Sequence, residues 1–204
     1  MSLESTGRRR ILDDPVVIRA LAHPLRLKLS MLVGRDGPLT AADAARQLGI
    51  SQALASHHLH QLAKYGFVEP APASDGRERP WRITATSHSW ETATNDPDTA
   101  LAADVLEQLL AERAVAQLVD WQQRRGDWTE PWREHSGIGQ SLIYLTLDEA
   151  IELRKALDAL IQPLVERRPL GDAAARWIPK TCLELSVVVP RDVKHMLGIW
   201  STVA

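Results

Sequence analysis

The sequence predicts a mainly helical α+β protein, and three patterns indicate this fold class. Most of the chain falls into segments with apolar residues at helical spacing, each bounded by a capping residue, a proline or a glycine. Two short alternating segments flank a turn signal at 74–76, which is typical of a β-hairpin. Two strand-like runs, 141–145 and 182–189, flank the last helical segment and predict a small C-terminal α/β unit.

The helices of the N-terminal part are predicted from their end signals. Before them, the first ten residues are polar, and we expect them to be frayed. The predicted helices are 16–21, opened by Asp14 and Pro15; 25–33, opened by Pro24 and ended by Gly34; 41–48, capped by Thr40 with Asp43; and 52–65, capped by Ser51 and ended by Gly66.

A β-hairpin is predicted directly after these helices. The first strand begins at 67–69, the turn lies at Ser74-Asp75-Gly76, and the returning strand covers 81–86. The longest helix is then predicted from Pro97 to about Arg125, and at 1.5 Å per residue it spans roughly 40 Å. Its apolar stripe needs a partner surface and consists of Leu101, Val105, Leu106, Leu109, Leu118 and Val119.

The C-terminal part is predicted to hold one helix between the two strand-like runs. Thr146 with Glu149 forms a capping box for a helix that continues to about Arg168. Its predicted buried side consists of Leu153, Leu157, Leu160, Ile161 and Leu164.

Composition and charge limit the class of protein. The chain has 204 residues, of which 45% are apolar and 25% charged, as in ordinary globular proteins. No apolar run predicts a membrane span or a secretory signal, and Cys182 is the only cysteine, so we expect a cytoplasmic protein. Residues 1–90 carry a net charge of +4 and residues 91–204 a net charge of −6. A basic half joined to an acidic half favours a nucleic-acid-binding module attached to a second unit.

The segment 40–66 carries the most specific chemistry. On a helical wheel of residues 52–65, Ala55, His58, Leu59 and Leu62 share one side, which we expect to face the core, with His58 hydrogen-bonded there. The opposite side is small and polar: glutamine can bind adenine, alanine can touch a thymine methyl, and serine, histidine and lysine can reach bases or phosphates. The outward residues are Gln52, Ala53, Ser56, His57, His60 and Lys64.

The chain resembles the ArsR-type winged helix-turn-helix transcription regulators. The resemblance is carried by LAHPLRLKLSMLV (21–33), GISQALASHHLHQLAKYGFVE (49–69) and GRERPWRITAT (76–86). It implies that helix 52–65 enters the DNA major groove and that the hairpin is a wing contacting the backbone or the minor groove. In that case Gln52, Ser56, His57 and His60 contact bases or phosphates, and the wing contacts come from Arg77, Arg79 and Arg82.

Dimerisation and ligand use follow from the same resemblance. We expect a homodimer held by the long helix through Leu101, Val105, Leu109 and Leu118. Helix 41–48 has no cysteine and helix 97–125 has no histidine, so the metal sites of metal-sensing members are not expected. We therefore predict no metal and no cofactor. We also predict no catalytic site, because the sequence has no glycine-rich phosphate loop, no HExxH helix and no GxSxG elbow. A small-molecule effector, for example in a tryptophan-lined pocket of the C-terminal part, stays open.

Three regions result from this reading: a winged helix-turn-helix domain over 11–92, a dimerisation helix over 96–126, and an α/β domain of unnamed role over 127–204. The predicted function is sequence-specific binding of operator DNA in transcription regulation. The alternative is a winged helix that docks a protein, with the acidic C-terminal part as the partner surface.

Overall fold

The computed structural model describes residues 9–72, 79–91, 94–135 and 143–166. These residues are mainly helical, with four short strands. The elements in chain order are β1 (Arg9–Leu12), α1 (Pro15–Leu21), α2 (Pro24–Asp36), α3 (Ala41–Leu48), α4 (Gln52–Lys64), β2 (Val68–Pro70), β3 (Trp81–Ile83), β4 (Ser87–Trp90), α5 (Pro97–Arg124), a 3-10 turn (Arg125–Asp127), α6 (Glu130–Glu134) and α7 (Leu147–Glu166).

Side-chain caps fix the starts of the N-terminal helices, as predicted. The Asp14 carboxylate accepts a hydrogen bond from the Val16 amide (2.7 Å), and the Ser51 hydroxyl accepts one from the Leu54 amide (3.2 Å). The predicted end of α2 at Gly34 is wrong. Gly34 lies inside the helix, which continues to Asp36 and ends at Gly37, where a positive φ of 89° favours glycine.

The predicted hairpin is present as the antiparallel pair of β2 and β3, in which Glu69 lies opposite Arg82. The predicted turn at 74–76 lies outside the described residues. The predicted return strand is too long. It ends at Ile83, because the next residue, Thr84, turns back and donates from its hydroxyl to the Gly66 carbonyl (2.6 Å).

The expectation of a frayed N-terminus is wrong for its last residues. Arg9 and Arg10 belong to β1, which pairs in parallel with β4. The two strands are far apart in sequence, and a hydrogen bond joins Arg9 to Ser89, 80 residues away. Their pairing therefore leaves no local signal. Leu12, at the end of β1, is buried in the core.

One hydrophobic core joins α1, α2, α4 and the N-terminal half of α5. Helix α1 packs along α5, and α3 packs against α4. The largest fully buried side chains are Phe67, Leu12, Ile18, Leu29, Leu59, Leu62, Leu106, Val33 and Val68. This core holds α4 by one face only, which leaves its opposite face in solvent.

Helix α5 has two apolar faces rather than the single stripe predicted. Leu106 is fully buried and Leu109 packs against the core, whereas Leu101 is 60% exposed and Val105 is 47% exposed. Leu118, the fourth predicted interface residue, is half-buried. The stripe divides because α1 covers one side of α5, and sequence spacing does not reveal which side a neighbour will cover.

Helix α7 begins at the predicted capping box, where the Thr146 hydroxyl donates to the Glu149 carboxylate (2.8 Å). Its predicted buried side is wrong for three of the five residues, because Leu160 is 71% exposed and Leu153 and Leu164 are exposed as well, whereas Leu157 and Ile161 are half-buried. Residues 143–145 of the strand predicted at 141–145 form no strand, and the first two residues of that segment lie outside the described residues. The predicted partner strand at 182–189 lies outside the described residues.

No helix in the described ranges is both long enough and apolar enough to cross a membrane.

Candidate nucleic-acid interface

Helices α3 and α4 meet at a three-residue turn. Gly49 adopts a left-handed conformation with φ of 65°, which ends α3, and Ser51 caps α4 two residues later. The Thr40 hydroxyl caps the start of α3 by accepting a hydrogen bond from the Asp43 amide (3.1 Å), and it donates to the Asp43 carboxylate (2.8 Å). Local chemistry in this segment therefore fixes both helix starts and the turn between them.

The two faces of α4 are divided as the helical wheel predicts. The inward residues Ala55, His58, Leu59 and Leu62 are buried. The opposite face is open to solvent, with Ser56 half-buried and the other outward residues exposed. The exposed members are Gln52, Ala53, His57, His60 and Lys64.

His60 connects the outward face of α4 to the hairpin. Its Nδ1 donates to the Ser56 carbonyl oxygen (2.8 Å), since a carbonyl can only accept. Its ring meets the Trp81 ring edge-on, with 5.1 Å between the ring centroids. Because Nδ1 carries the proton, the neutral ring offers Nε2 as an acceptor.

His58 is buried within a cluster of histidines. Its ring centroid lies 4.7 Å from that of His23 and 5.1 Å from that of His57. Burial lowers the pKa of His58, and the nearby His23, His57 and Arg26 lower it further. The predicted hydrogen bond is not found at its Nδ1, which has no partner among the described residues. The wheel gives the direction of a side chain, whereas hydrogen-bond partners depend on the packing of other elements.

His23 has a structural role that the sequence analysis missed. Its Nδ1 accepts a hydrogen bond from the Leu25 amide (3.1 Å) and so caps α2. Burial and the charge of Arg26 lower the pKa of His23. Proline at the first helical position was the available signal for a cap at residue 23.

The predicted wing arginines have different environments. Arg79 is exposed, and Arg77 lies outside the described residues. Arg82 is held by Glu69 across the hairpin, with its Nε 2.8 Å and its second guanidinium nitrogen 2.7 Å from the same carboxylate oxygen. Lys64, at the end of α4, places its ammonium 5.3 Å from the centroid of the Tyr65 ring. Lys64 and Arg79 are therefore exposed cations, whereas Arg82 is part of an ion pair.

Within the described ranges, histidine, cysteine and carboxylate side chains form no group of three or more that could hold a metal ion.

The segment that contains α3 and α4 is similar to known helix-turn-helix proteins. Residues 21–71 match a family described as a helix-turn-helix domain. Over 60 residues the chain is 35% identical to the arsenic resistance transcriptional regulator ArsR1 of Pseudomonas putida. This part of the chain is an ArsR-like winged helix-turn-helix domain. The alignment covers 29% of this chain and 47% of ArsR1, so the chain spans about half the length of that relative.

Two solved structures align over more of the chain but at low similarity. One is the heme sensor protein PefR from Streptococcus agalactiae, at 19% identity and a TM-score of 0.31, covering 72% of this chain and 77% of PefR. The other is RV1404 from Mycobacterium tuberculosis, at 16% identity and a TM-score of 0.29, covering 76% and 86% of the two chains. These scores lie below the level of a shared overall fold. The ArsR-like assignment rests on residues 21–71 and their arrangement.

Proposed function

We propose that the protein is a transcription regulator that binds operator DNA as a homodimer, with α4 as its recognition helix in the major groove. The observation that carries the proposal is the outward face of α4, which is small, polar and solvent-exposed while its inner face is anchored in the core. The ArsR-like domain supports the same function, because the relative it matches is named as a transcriptional regulator.

The first turns of α4 carry the proposed base contacts. Gln52 can bind adenine through two hydrogen bonds, and Ala53 permits close approach and contact with a thymine methyl. Ser56, His57 and His60 follow along the same face and supply further base or phosphate contacts. The positive end of the helix dipole favours phosphate near the start of α4.

Backbone contacts are proposed for Lys64 and for the wing. Arg79 is exposed and can reach a phosphate, and Arg77 is proposed for the same role from its place in the sequence. Arg82 is expected to contribute less, because a DNA contact would have to break its ion pair with Glu69.

The dimer is proposed to form through the exposed face of α5. Leu101, Val105, Val115 and Val119 lie on that face and remain in solvent in a single chain. Leu101 and Val105 are four residues apart, as are Val115 and Val119, and a separation of fourteen residues between the first members of the two pairs keeps them on one side of the helix. A helix side of this kind can pack on a second helix. Leu109 and Leu118 are half-buried, so we place them at the edge of this seam. Two recognition helices one DNA turn apart, roughly 34 Å, would then read a near-palindromic site.

The arsenic response in the name of ArsR1 is not proposed for this chain. The only cysteine of the sequence is Cys182, so α3 carries no thiolate that could bind a soft metal or arsenic.

The first experiment is fluorescence anisotropy of a random DNA duplex at increasing salt concentration. A DNA-binding protein binds at low salt, and the logarithm of its binding constant falls linearly with the logarithm of the salt concentration, because phosphate contacts release counterions. Absence of binding at low salt would reject this function and favour the protein-docking alternative.

Variants then separate base contacts from backbone contacts. On a selected binding site, Gln52→Ala is expected to cost about 1–3 kcal/mol and to relax base preference. Arg79→Ala should weaken binding to all sequences alike and reduce the salt slope by about 1. Lys155→Ala is the charge control, since Lys155 lies on α7 and pairs with Glu152. Equal loss of base preference in the first two variants would contradict the assignment.

Sedimentation tests the dimer through a pair of matched variants. Val105→Glu places a charge on the proposed seam and should give a monomer at micromolar concentration. Val16→Glu is the control, because Val16 is 46% exposed but lies on α1 and not on α5. A wild-type monomer, or equal behaviour of the two variants, would reject the α5 interface.

A further inference from the structure

We propose that Arg10, which precedes the matched domain, is a positioning residue that fixes the C-terminal end of the recognition helix against the base of the wing. The inference rests on the proposed function for its consequence in DNA binding. The contacts themselves are independent of it and join three segments that are distant in sequence.

The first contact is made at the glycine that ends α4. Gly66 has φ of 72°, and its carbonyl oxygen accepts a hydrogen bond from the Arg10 guanidinium (2.7 Å). The same oxygen accepts the Thr84 hydroxyl at 2.6 Å, directly after β3. One carbonyl therefore joins β1, the end of α4 and the end of the hairpin. A hydrogen bond from a charged donor is roughly twice as strong as a neutral one.

The second contact is made through an aromatic ring. The Arg10 guanidinium carbon lies 4.9 Å from the centroid of the Phe67 ring, which is fully buried beneath it. The Phe67 ring in turn meets the ring of His88 on β4, with 5.2 Å between centroids. Arg10 and His88 are also partners in the parallel strand pair. The guanidinium thus lies between the end of the recognition helix and the strand that follows the wing.

The approach of Arg10 to Gly66 is close. A Cβ built on Gly66 would lie 3.3 Å from a guanidinium nitrogen of Arg10, tighter than most real contacts. The glycine is therefore required by its positive φ and also makes room for the arginine. This packing gives α4 little freedom to move relative to β1 at this end.

Arg9 provides a natural comparison on the same strand. Successive side chains of a strand point to opposite faces, so Arg9 and Arg10 do not share partners. The Arg9 Nε donates to the Ser89 hydroxyl (3.1 Å), and its guanidinium lies 4.0 Å from the Asp158 carboxylate of α7. Removing either arginine removes one positive charge, but only Arg10 contacts the end of α4.

The DNA experiment compares Arg10→Ala with Arg9→Ala. We expect Arg10→Ala to weaken binding on the order of tenfold, because a lost charged hydrogen bond lets the helix end shift. The salt slope should stay at the wild-type value, because Arg10 touches no phosphate. Arg9→Ala should leave affinity near that of the wild type, and Arg10→Lys should recover part of the loss by donating to the Gly66 carbonyl. A salt slope reduced by about 0.9 in Arg10→Ala would make Arg10 a phosphate contact and overturn the proposal.

A second experiment tests the contacts without DNA. Nuclear magnetic resonance can follow the His88 ring and the amides of Gly66 and Phe67. In Arg10→Ala the pKa of His88 should rise, because a neighbouring positive charge is removed, and the two amide signals should shift. Arg9→Ala should change neither. If Arg10→Ala does not fold, Arg10→Lys is compared instead, and its amides should shift less than in an Arg10→Gln variant.

The two experiments separate the failure of this inference from the failure of the proposed function. If the wild-type protein binds no DNA but the His88 and Gly66 signals respond to Arg10, the proposed function fails and the positioning contact stands. If the protein binds DNA but these signals are unchanged in Arg10→Ala, the positioning role is rejected.

Discussion

Acidification should destabilise the fold through His88, which lies on β4 beside the buried Phe67 ring. Burial, and after it the positive charge of Arg10, lowers the pKa of His88 to about 4. Its Nε2 has no hydrogen-bond partner among the described residues, so no acceptor stabilises the protonated ring from that side. The native fold therefore favours neutral His88.

The sign and size of the effect follow from the difference between the two states. In the unfolded chain a histidine has a pKa of about 6.5, so below that pH the unfolded state binds a proton that the native state excludes. The contribution of neutral His88 to the free energy of unfolding is fully present above about pH 6.5 and is lost as the pH falls toward 4. The folded pKa lies about 2.5 below the unfolded value, which corresponds to a loss of about 3 kcal/mol once the pH is below 4.

Denaturant unfolding at a series of pH values between about 7 and 4.5 measures this loss in the wild type and in His88→Leu. His23 and His58 also have lowered pKa values and act in the same direction, so the wild-type curve alone does not isolate His88. The difference in pH-dependent stability between the wild type and His88→Leu isolates the effect of His88. The wild type should lose about 2.5 kcal/mol more than His88→Leu by pH 4.5.

The control for the His88 experiment is a variant that removes a different, exposed histidine. His135→Ala removes an exposed histidine that directly follows α6, and its unfolding curve should keep the wild-type pH dependence. Parallel loss of stability in the wild type and His88→Leu between about pH 6.5 and 4.5 would refute the reasoning, because the buried ring would then not resist protonation.

Three further predictions concern helix α4 and its ends, and each is measured by denaturant unfolding. Ser51→Ala should cost about 1 kcal/mol, because the Leu54 amide loses its cap. Gly66→Ala should cost about 1–3 kcal/mol through its positive φ, whereas Gly126→Ala, which meets nothing within 4 Å, should be nearly neutral. Leu59→Ala should cost about 2–5 kcal/mol because Leu59 is fully buried, whereas Leu54→Ala, 41% exposed on the same helix, should cost far less. Equal costs within either pair would contradict the burial and backbone geometry described above.

The parts of the fold that were predicted correctly depend on neighbours in sequence. Helix starts are set by a side chain that bonds an amide two or three residues later, as at Asp14, Thr40 and Ser51. The inward and outward faces of α4 follow from the 100° rotation per residue. Both signals lie within one or two turns of chain, so the sequence alone reveals them.

The parts that were missed depend on contacts between distant segments. The pairing of β1 with β4 joins residues about 80 positions apart, and each strand has only four residues. The end of α2 is a smaller case, because both Gly34 and Gly37 are acceptable helix ends and only the backbone distinguishes them. Helices α5 and α7 form where the apolar spacing predicts helices, but the spacing does not say which side of a helix is covered.

The arginines of the candidate site also depend on contacts between distant segments, and the sequence alone does not distinguish those that are paired from those that are exposed. Arg82 is bound by Glu69 because the register of β2 and β3 places them opposite each other. Arg10 donates to the Gly66 carbonyl from β1, which is held in place by its pairing with β4. Arg79 remains exposed. A count of basic residues therefore overstates the cations that are free to meet phosphate. The strand register decides which arginines hold the site together and which remain for a ligand.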